Sequence, residues 1–175
     1  MRRAGFILLI AACFQAGCGH YVLGTRSRPA FQRLYIEPVA NRSSLPQSVA
    51  AISTALREAF IRDGRLTVVN SPSEADAVLS MTIGRYGREV ATVLPNDTGL
   101  ARKFNLNLTA SLSLINPGSG AIYFKDRPLD ARRQIFTDNP QTGNHDNQLR
   151  AEYQAVPLLA DSLASAALNA VLDVW

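Results

Sequence analysis

The chain has 175 residues, with 18 lysines and arginines against 14 aspartates and glutamates, for a net charge of +4. That is one domain's worth of material, enough to bury a core, and the charge is too mild to argue for nucleic acid as a partner. Two cysteines are too few for a disulfide-stapled scaffold.

The first stretch sets the context for the rest. Arg2 and Arg3 make a positive start, Ala4 to Ala12 is an apolar run interrupted only by Gly5, and Ala16 and Gly17 are small residues of the kind that precede a signal-peptidase cut. The run is too short to span a bilayer as a helix, so residues 1–17 read as an export signal outside the fold. Cys18, directly after the small pair, resembles the cysteine of a bacterial lipobox, with Gln15 where leucine is usual. The resemblance implies cleavage before Cys18 and acylation of both its sulfur and the new amino terminus. Each buried methylene contributes about 0.8 kcal/mol, one chain binds only marginally, and two or more hold a protein firmly. Gly19 stands where an aspartate would, in many bacteria, retain a lipoprotein at the inner membrane, so the implied address is the periplasmic face of the outer membrane. The alternative is a plain secreted chain with an incidental cysteine. Cys13 would leave with the signal and Cys18 would be consumed by lipid, which removes any disulfide framework or cysteine-based metal site from the mature chain. No later run is expected to be long and apolar enough to cross a membrane.

Residues 18–30 are polar and turn-rich, a tether between lipid and fold. Phe31 to Val39 reads as a first strand, with Leu34 and Ile36 alternating against Arg33, Tyr35 and Glu37. Ser44-Leu45-Pro46 then opens a helix, a capping serine ahead of a proline tolerated in the first turn. Val49, Ile52, Leu56, Ala59 and Phe60 recur at helical spacing, and Gly64 suits the left-handed residue that ends a helix. A strand over Leu66 to Val69 and a turn at Ser71 to Glu74 follow. A longer strand starts at Asp76 with Ala77, Leu79, Met81 and Ile83 on one face; Gly84 and Gly87 suggest a bulge before Val90 to Val93. Pro95 to Gly99 is a loop. From Arg102 the alternation is the cleanest in the chain: Phe104, Leu106, Leu108, Ala110, Leu112 and Leu114 on one side, polar residues on the other, as in a sheet covered on a single face. Asn116 to Gly120 turns the chain into Ala121 to Phe124, which should pair with that strand, and a further extended piece is expected at Arg132 to Phe136. Thr137 to Asn147 is a loop. A helix from about Glu152 to Val174 closes the chain, with Pro157 beginning it or kinking it. Two amphipathic helices and a sheet with one apolar face predict an α+β domain over residues 31–175, two helices packed on one face of a mostly antiparallel sheet of about four strands.

The β-α-β unit and its continuation to Tyr86 resemble the LptE family of lipopolysaccharide-assembly lipoproteins. The resemblance is carried by Tyr35-Ile36-Glu37-Pro38, Asn41-Arg42, Ala55-Leu56-Arg57, Phe60-Ile61-Arg62-Asp63-Gly64-Arg65-Leu66 and Ala75-Asp76-Ala77-Val78-Leu79, after an opening Cys18-Gly19-His20-Tyr21 and Leu23-Gly24. Gln15 and the stretch from Lys125 to Arg150 depart from the family's pattern. What the resemblance implies is a non-enzymatic outer-membrane lipoprotein, a plug within the LptD β-barrel in a 1:1 complex, supporting that barrel's assembly and the delivery of lipopolysaccharide to the outer leaflet, with no cofactor.

The chemistry-bearing residues agree with a non-catalytic reading. The two histidines, His20 and His145, fall in a tether and a loop, and neither has partners at zinc-ligand spacing. No nucleophile elbow and no phosphate loop occur. Asp126, Asp130 and Asp138 could pair as carboxylates, but a solvated strand edge accounts for them. What remains is a surface: Arg85, Arg88, Arg102, Lys103, Lys125, Arg127, Arg132 and Arg133 lie in one region with only Glu89, Asp97, Asp126 and Asp130 opposing them. Such cations suit phosphate through charge-assisted hydrogen bonds, and the family resemblance makes lipopolysaccharide the candidate ligand; for any one residue, solvation or edge protection suffices. The rival readings are an accessory lipoprotein of another envelope transport or secretion complex, and a periplasmic hydrolase with an unrecognised site.

Overall fold

The computed structural model describes residues 30–92, 103–136 and 146–174. The export signal, Cys18 and the tether up to residue 29, the Pro95 to Gly99 loop, Arg102, Asp138, His20 and His145 lie outside the described residues.

Six strands form one sheet: β1 (Arg33–Ile36), β2 (Ala40–Asn41), β3 (Thr67–Val69), β4 (Ala77–Thr92), β5 (Lys103–Ile115) and β6 (Ile122–Phe136). Among the described residues the helices are α1 (Ser48–Asp63) and α2 (Asp146–Leu172), with a 3-10 turn over Pro72–Glu74. The order across the sheet is β3-β1-β4-β5-β6, with β2 also paired to β4. This is larger than the expected four strands, and it is mixed: β1 runs parallel to both β3 and β4, and β2 parallel to β4, while β4, β5 and β6 are antiparallel. Pro38, which has no N–H to donate, lies in the gap that splits the expected first strand into β1 and β2. The β1-α1-β3 connection is a crossover, which brings strands back in parallel.

Local chemistry explains the element ends. Asn41 Oδ1 accepts from the Ser43 N–H (2.8 Å) and hydroxyl (2.7 Å), forming a turn where the sequence suggested a serine cap. The helix therefore starts later than Ser44, at Ser48, whose hydroxyl donates to the Leu45 carbonyl at 2.6 Å. It ends as expected: Gly64 has φ +74° and its N–H donates to the Phe60 carbonyl. The final helix begins at Asp146, ahead of the expected Glu152, and passes through Pro157. Pro157 is exposed, so the Tyr153 carbonyl that loses its helical donor faces water.

Ile52, Leu56 and Phe60, four residues apart on α1, are fully buried, as are Leu159, Leu163, Ala167 and Val171 on α2. They pack on one sheet face made by Leu34, Leu79, Met81, Ile83, Leu106, Leu108, Leu112 and Leu114. The helices thus lie together on a single face, as the periodicity predicted. By length and composition α2 would suffice to cross a membrane, contrary to the expectation that no later segment would; half of that stretch is buried within the fold. Its apolar side is a core face.

Candidate functional site

Neither described helix lies on the sheet's second face, and strand pairing decides which side chains it presents. On β5 these are Asn105, Asn107, Thr109, Ser111 and Ser113, and their partners on β6 are Gln134, Arg132, Asp130 and Pro128 for the first four. On β4 the ladder slips between Ile83 and Tyr86, the bulge that Gly84 and Gly87 announced. A Cβ at Gly84 would stand 3.0 Å from Thr109 Oγ1, so the close strand approach favours glycine. That hydroxyl accepts the Arg85 N–H at 2.9 Å, and the Arg85 side chain is exposed.

The result is a shallow groove of about 240 Å³ on the open face, lined among others by Arg85, Glu89, Asn107, Thr109, Asp130 and Arg132. Asn107 Oδ1 is buried there without a hydrogen-bond partner among the described residues. Beyond the groove, at the end of the sheet, Lys103 Nζ sits 5.3 Å from the Phe136 ring centre, a cation held over an exposed aromatic face. The groove can offer two guanidinium forks and an amide to a phosphate or hydroxylated ligand, moderated by two carboxylates.

The eight candidate cations do not form one patch. Arg85, Lys103 and Arg132 belong to the open face, whereas Arg88, Arg127 and Arg133 are paired with Leu106 or Leu112, whose side chains face the helices. Lys125 is exposed at the irregularity where β6 slips past β5. Arg102, next to Lys103, is outside the described residues. Alternation alone carried the signal for part of this split. Leu129, Ala131 and Ile135 are separated by even numbers of residues, so Arg127 and Arg133 share their side of the strand.

Two helix-side arginines hold α2. Arg88 donates to Glu152 Oε1 at 2.7 Å while Tyr86 donates its hydroxyl to Oε2 at 3.1 Å and Gln148 donates to Oε1 at 3.0 Å. Burial alone would raise the Glu152 pKa, but the hydrogen bonds from Gln148, Arg88 and Tyr86 outweigh it and hold the carboxyl below its ordinary value. Burial, with the Glu152 charge beside it, pushes the Tyr86 phenol up to about 12. At the far end of the helix Arg127 donates to the Ala170 carbonyl (3.2 Å) and to Asp173 (3.0 Å), a cation placed where the helix dipole is negative. Sequence reading missed this network, since Tyr86 and Glu152 are far apart in the chain. Among the described residues no three potential metal ligands cluster; Asp126 and Asp130 both stand on β6, and Asp130 shares the groove with Glu89.

A sequence profile of a family described as "LptE: Lipopolysaccharide-assembly" matches residues 31–167. No curated protein sequence matches the chain. Among solved structures, the rare lipoprotein B of Shewanella oneidensis superposes with a TM-score of 0.52 at 18% identity, covering 77% of this chain and 93% of that one. A minor lipoprotein of Acinetobacter baumannii gives 0.51 at 18% identity, with 80% and 90% covered. A hypothetical protein of Chlamydia trachomatis gives 0.52 at 13% identity, with 81% and 96% covered. At these identities the likeness is one of fold.

Proposed function

Since the chain belongs to the LptE family of lipopolysaccharide-assembly proteins, we propose that it is a non-enzymatic outer-membrane lipoprotein, anchored through acylated Cys18, that plugs the lumen of an LptD-type β-barrel in a 1:1 complex. It supports assembly of that barrel and passage of lipopolysaccharide to the outer leaflet. The observation that carries the reading is the family match over residues 31–167. The uncovered sheet face of hydroxyls, amides and charges supports it, because a barrel lumen is polar and wet and pairs with such a surface through hydrogen bonds. Arg85, Lys103 and Arg132, with Arg102 next to Lys103 in sequence, are the cations best placed on that face to meet lipopolysaccharide phosphates; Arg133 and Lys125 are exposed outside it. Arg88 and Arg127 already neutralise Glu152 and Asp173.

Crosslinking the acylated chain in its native envelope and identifying the trapped partner by mass spectrometry tests the assignment. A large outer-membrane barrel recovered in equal amount is expected. Recovery of a different transport or secretion component, and no barrel, overturns it in favour of an accessory role in another envelope machine.

A further inference from the structure

On the open face one whole row is apolar. Val69, Tyr35, Val78, Ile115 and Ile122 are successive register partners across β3, β1, β4, β5 and β6. Val78 within the row is only 5% exposed, but at its β6 end Ile115 is 39% and Ile122 59% exposed. These two isoleucines face each other at the mouth of the β5–β6 hairpin, whose turn is closed by Asn116: its side-chain oxygen accepts the Gly118 and Ser119 N–H groups. No charged residue occurs between Lys103 and Lys125, so both strand ends and the turn are uncharged. An exposed apolar pair on an uncharged tip can enter the interfacial layer of a bilayer without burying a charge.

The chain's entry point says what lies against it. Phe31, buried just ahead of β1, places its ring 5.3 Å from that of Tyr123, the residue next to Ile122. The segment leading back to Cys18 therefore leaves the fold beside this hairpin. Only residues 19–29 separate Ala30 from Cys18, and covalent geometry limits the reach over that stretch to about 40 Å. β6, fifteen residues long, extends about 50 Å at about 3.3 Å per residue. An anchor on so short a leash keeps the hairpin end, and not the Lys103–Phe136 end, near the bilayer.

We infer that the tip of the β5–β6 hairpin, through Ile115 and Ile122, is a membrane-contacting edge that dips into the interfacial layer of the bilayer holding the lipid anchor. The inference rests on the proposed acylation of Cys18. It orients the domain: the hairpin end meets lipid, and the groove of Arg85 and Arg132 stands away from it.

The test uses the acylated full chain carrying Ile122→Cys labelled with an environment-sensitive fluorophore, reconstituted in phosphatidylethanolamine–phosphatidylglycerol vesicles with or without spin-labelled quencher lipid. Ile61→Cys, on α1 where the native side chain is 63% exposed, serves as the reference. Blue-shifted emission and at least twofold quenching at position 122, with neither at 61, are expected. A vesicle-bound, acylated chain whose label at 122 stays in water, or matches that at 61, overturns the inference and leaves the anchor standing. A chain with an unmodified thiol at Cys18 that does not sediment with vesicles overturns the anchor, and the inference with it.

Discussion

Asp76 gathers more contacts than any other carboxylate on the parallel side of the sheet. It accepts the backbone N–H groups of Gln32 (3.1 Å) and Arg33 (2.9 Å) through Oδ2 and both Nε and one terminal nitrogen of Arg33 through Oδ1. These pin the start of β1, where the tether enters the fold. The Arg33 guanidinium, then the Arg33 backbone, hold the carboxyl at about 2 against an ordinary 3.8. A depressed folded-state value means the contribution is fully present above the ordinary value and is lost as pH falls toward the folded one. Asp76→Ala is expected to lower unfolding free energy by about 1 kcal/mol, a figure reduced for the solvent that screens the pair. Urea titrations of both proteins should differ at pH 7 and draw together between pH 4 and pH 2; a difference at pH 2 as large as that at pH 7 would remove the carboxylate from the explanation.

At the scale of elements, α2 is held at both ends by arginines from the sheet. Glu152→Ala leaves Arg88 and the Tyr86 hydroxyl without their acceptor and is expected to cost about 2 kcal/mol. Hydrogen exchange should quicken first in the turn around Gln148 to Glu152 while Leu163 to Val171 stay protected; uniform loss along the helix would show that the network does not act locally. Which elements were legible follows from which signals are local. The 3.6-residue spacing of Ile52, Leu56 and Phe60, the left-handed Gly64 and the strict alternation of Phe104 to Leu114 each act within one element, and each appears in the structure where sequence places it. The strand count was not legible, because β2 consists of two residues that are a strand only through pairing with Thr82 and Ile83. Nor was the unbroken course of β6 from Ile122 to Phe136, which takes in Pro128 and, with φ +51° at Asp126, a backbone conformation that residues other than glycine rarely adopt. The expectation of one basic cluster broke down for a related reason. The slip at Gly84 to Tyr86 turns Arg88 toward the helices, and only the register of β4 against β5 fixes that.

For the molecule as a whole, the proposed function gives the two faces of one sheet separate duties, with arginines on both. On the helix side an arginine closes the fold, and on the open side it meets whatever approaches. A paired set of variants separates these roles. Arg85→Ser, Lys103→Ser and Arg132→Ser together should weaken binding of lipopolysaccharide about tenfold, the equivalent of about 1.4 kcal/mol, and flatten its salt dependence, since each lost cation removes a screened contact with phosphate. Their melting temperature should stay within a degree or two of the parent, because none makes an ion pair with a described residue. Arg88→Ser with Arg127→Ser should do the reverse, lowering the melting temperature by several degrees while leaving affinity unchanged at temperatures where the variant is folded. Binding isotherms at two salt concentrations and thermal unfolding of each variant decide the matter. Equal affinity loss from both sets would mean the ligand does not distinguish the faces, and the open groove would lose its claim to lipopolysaccharide.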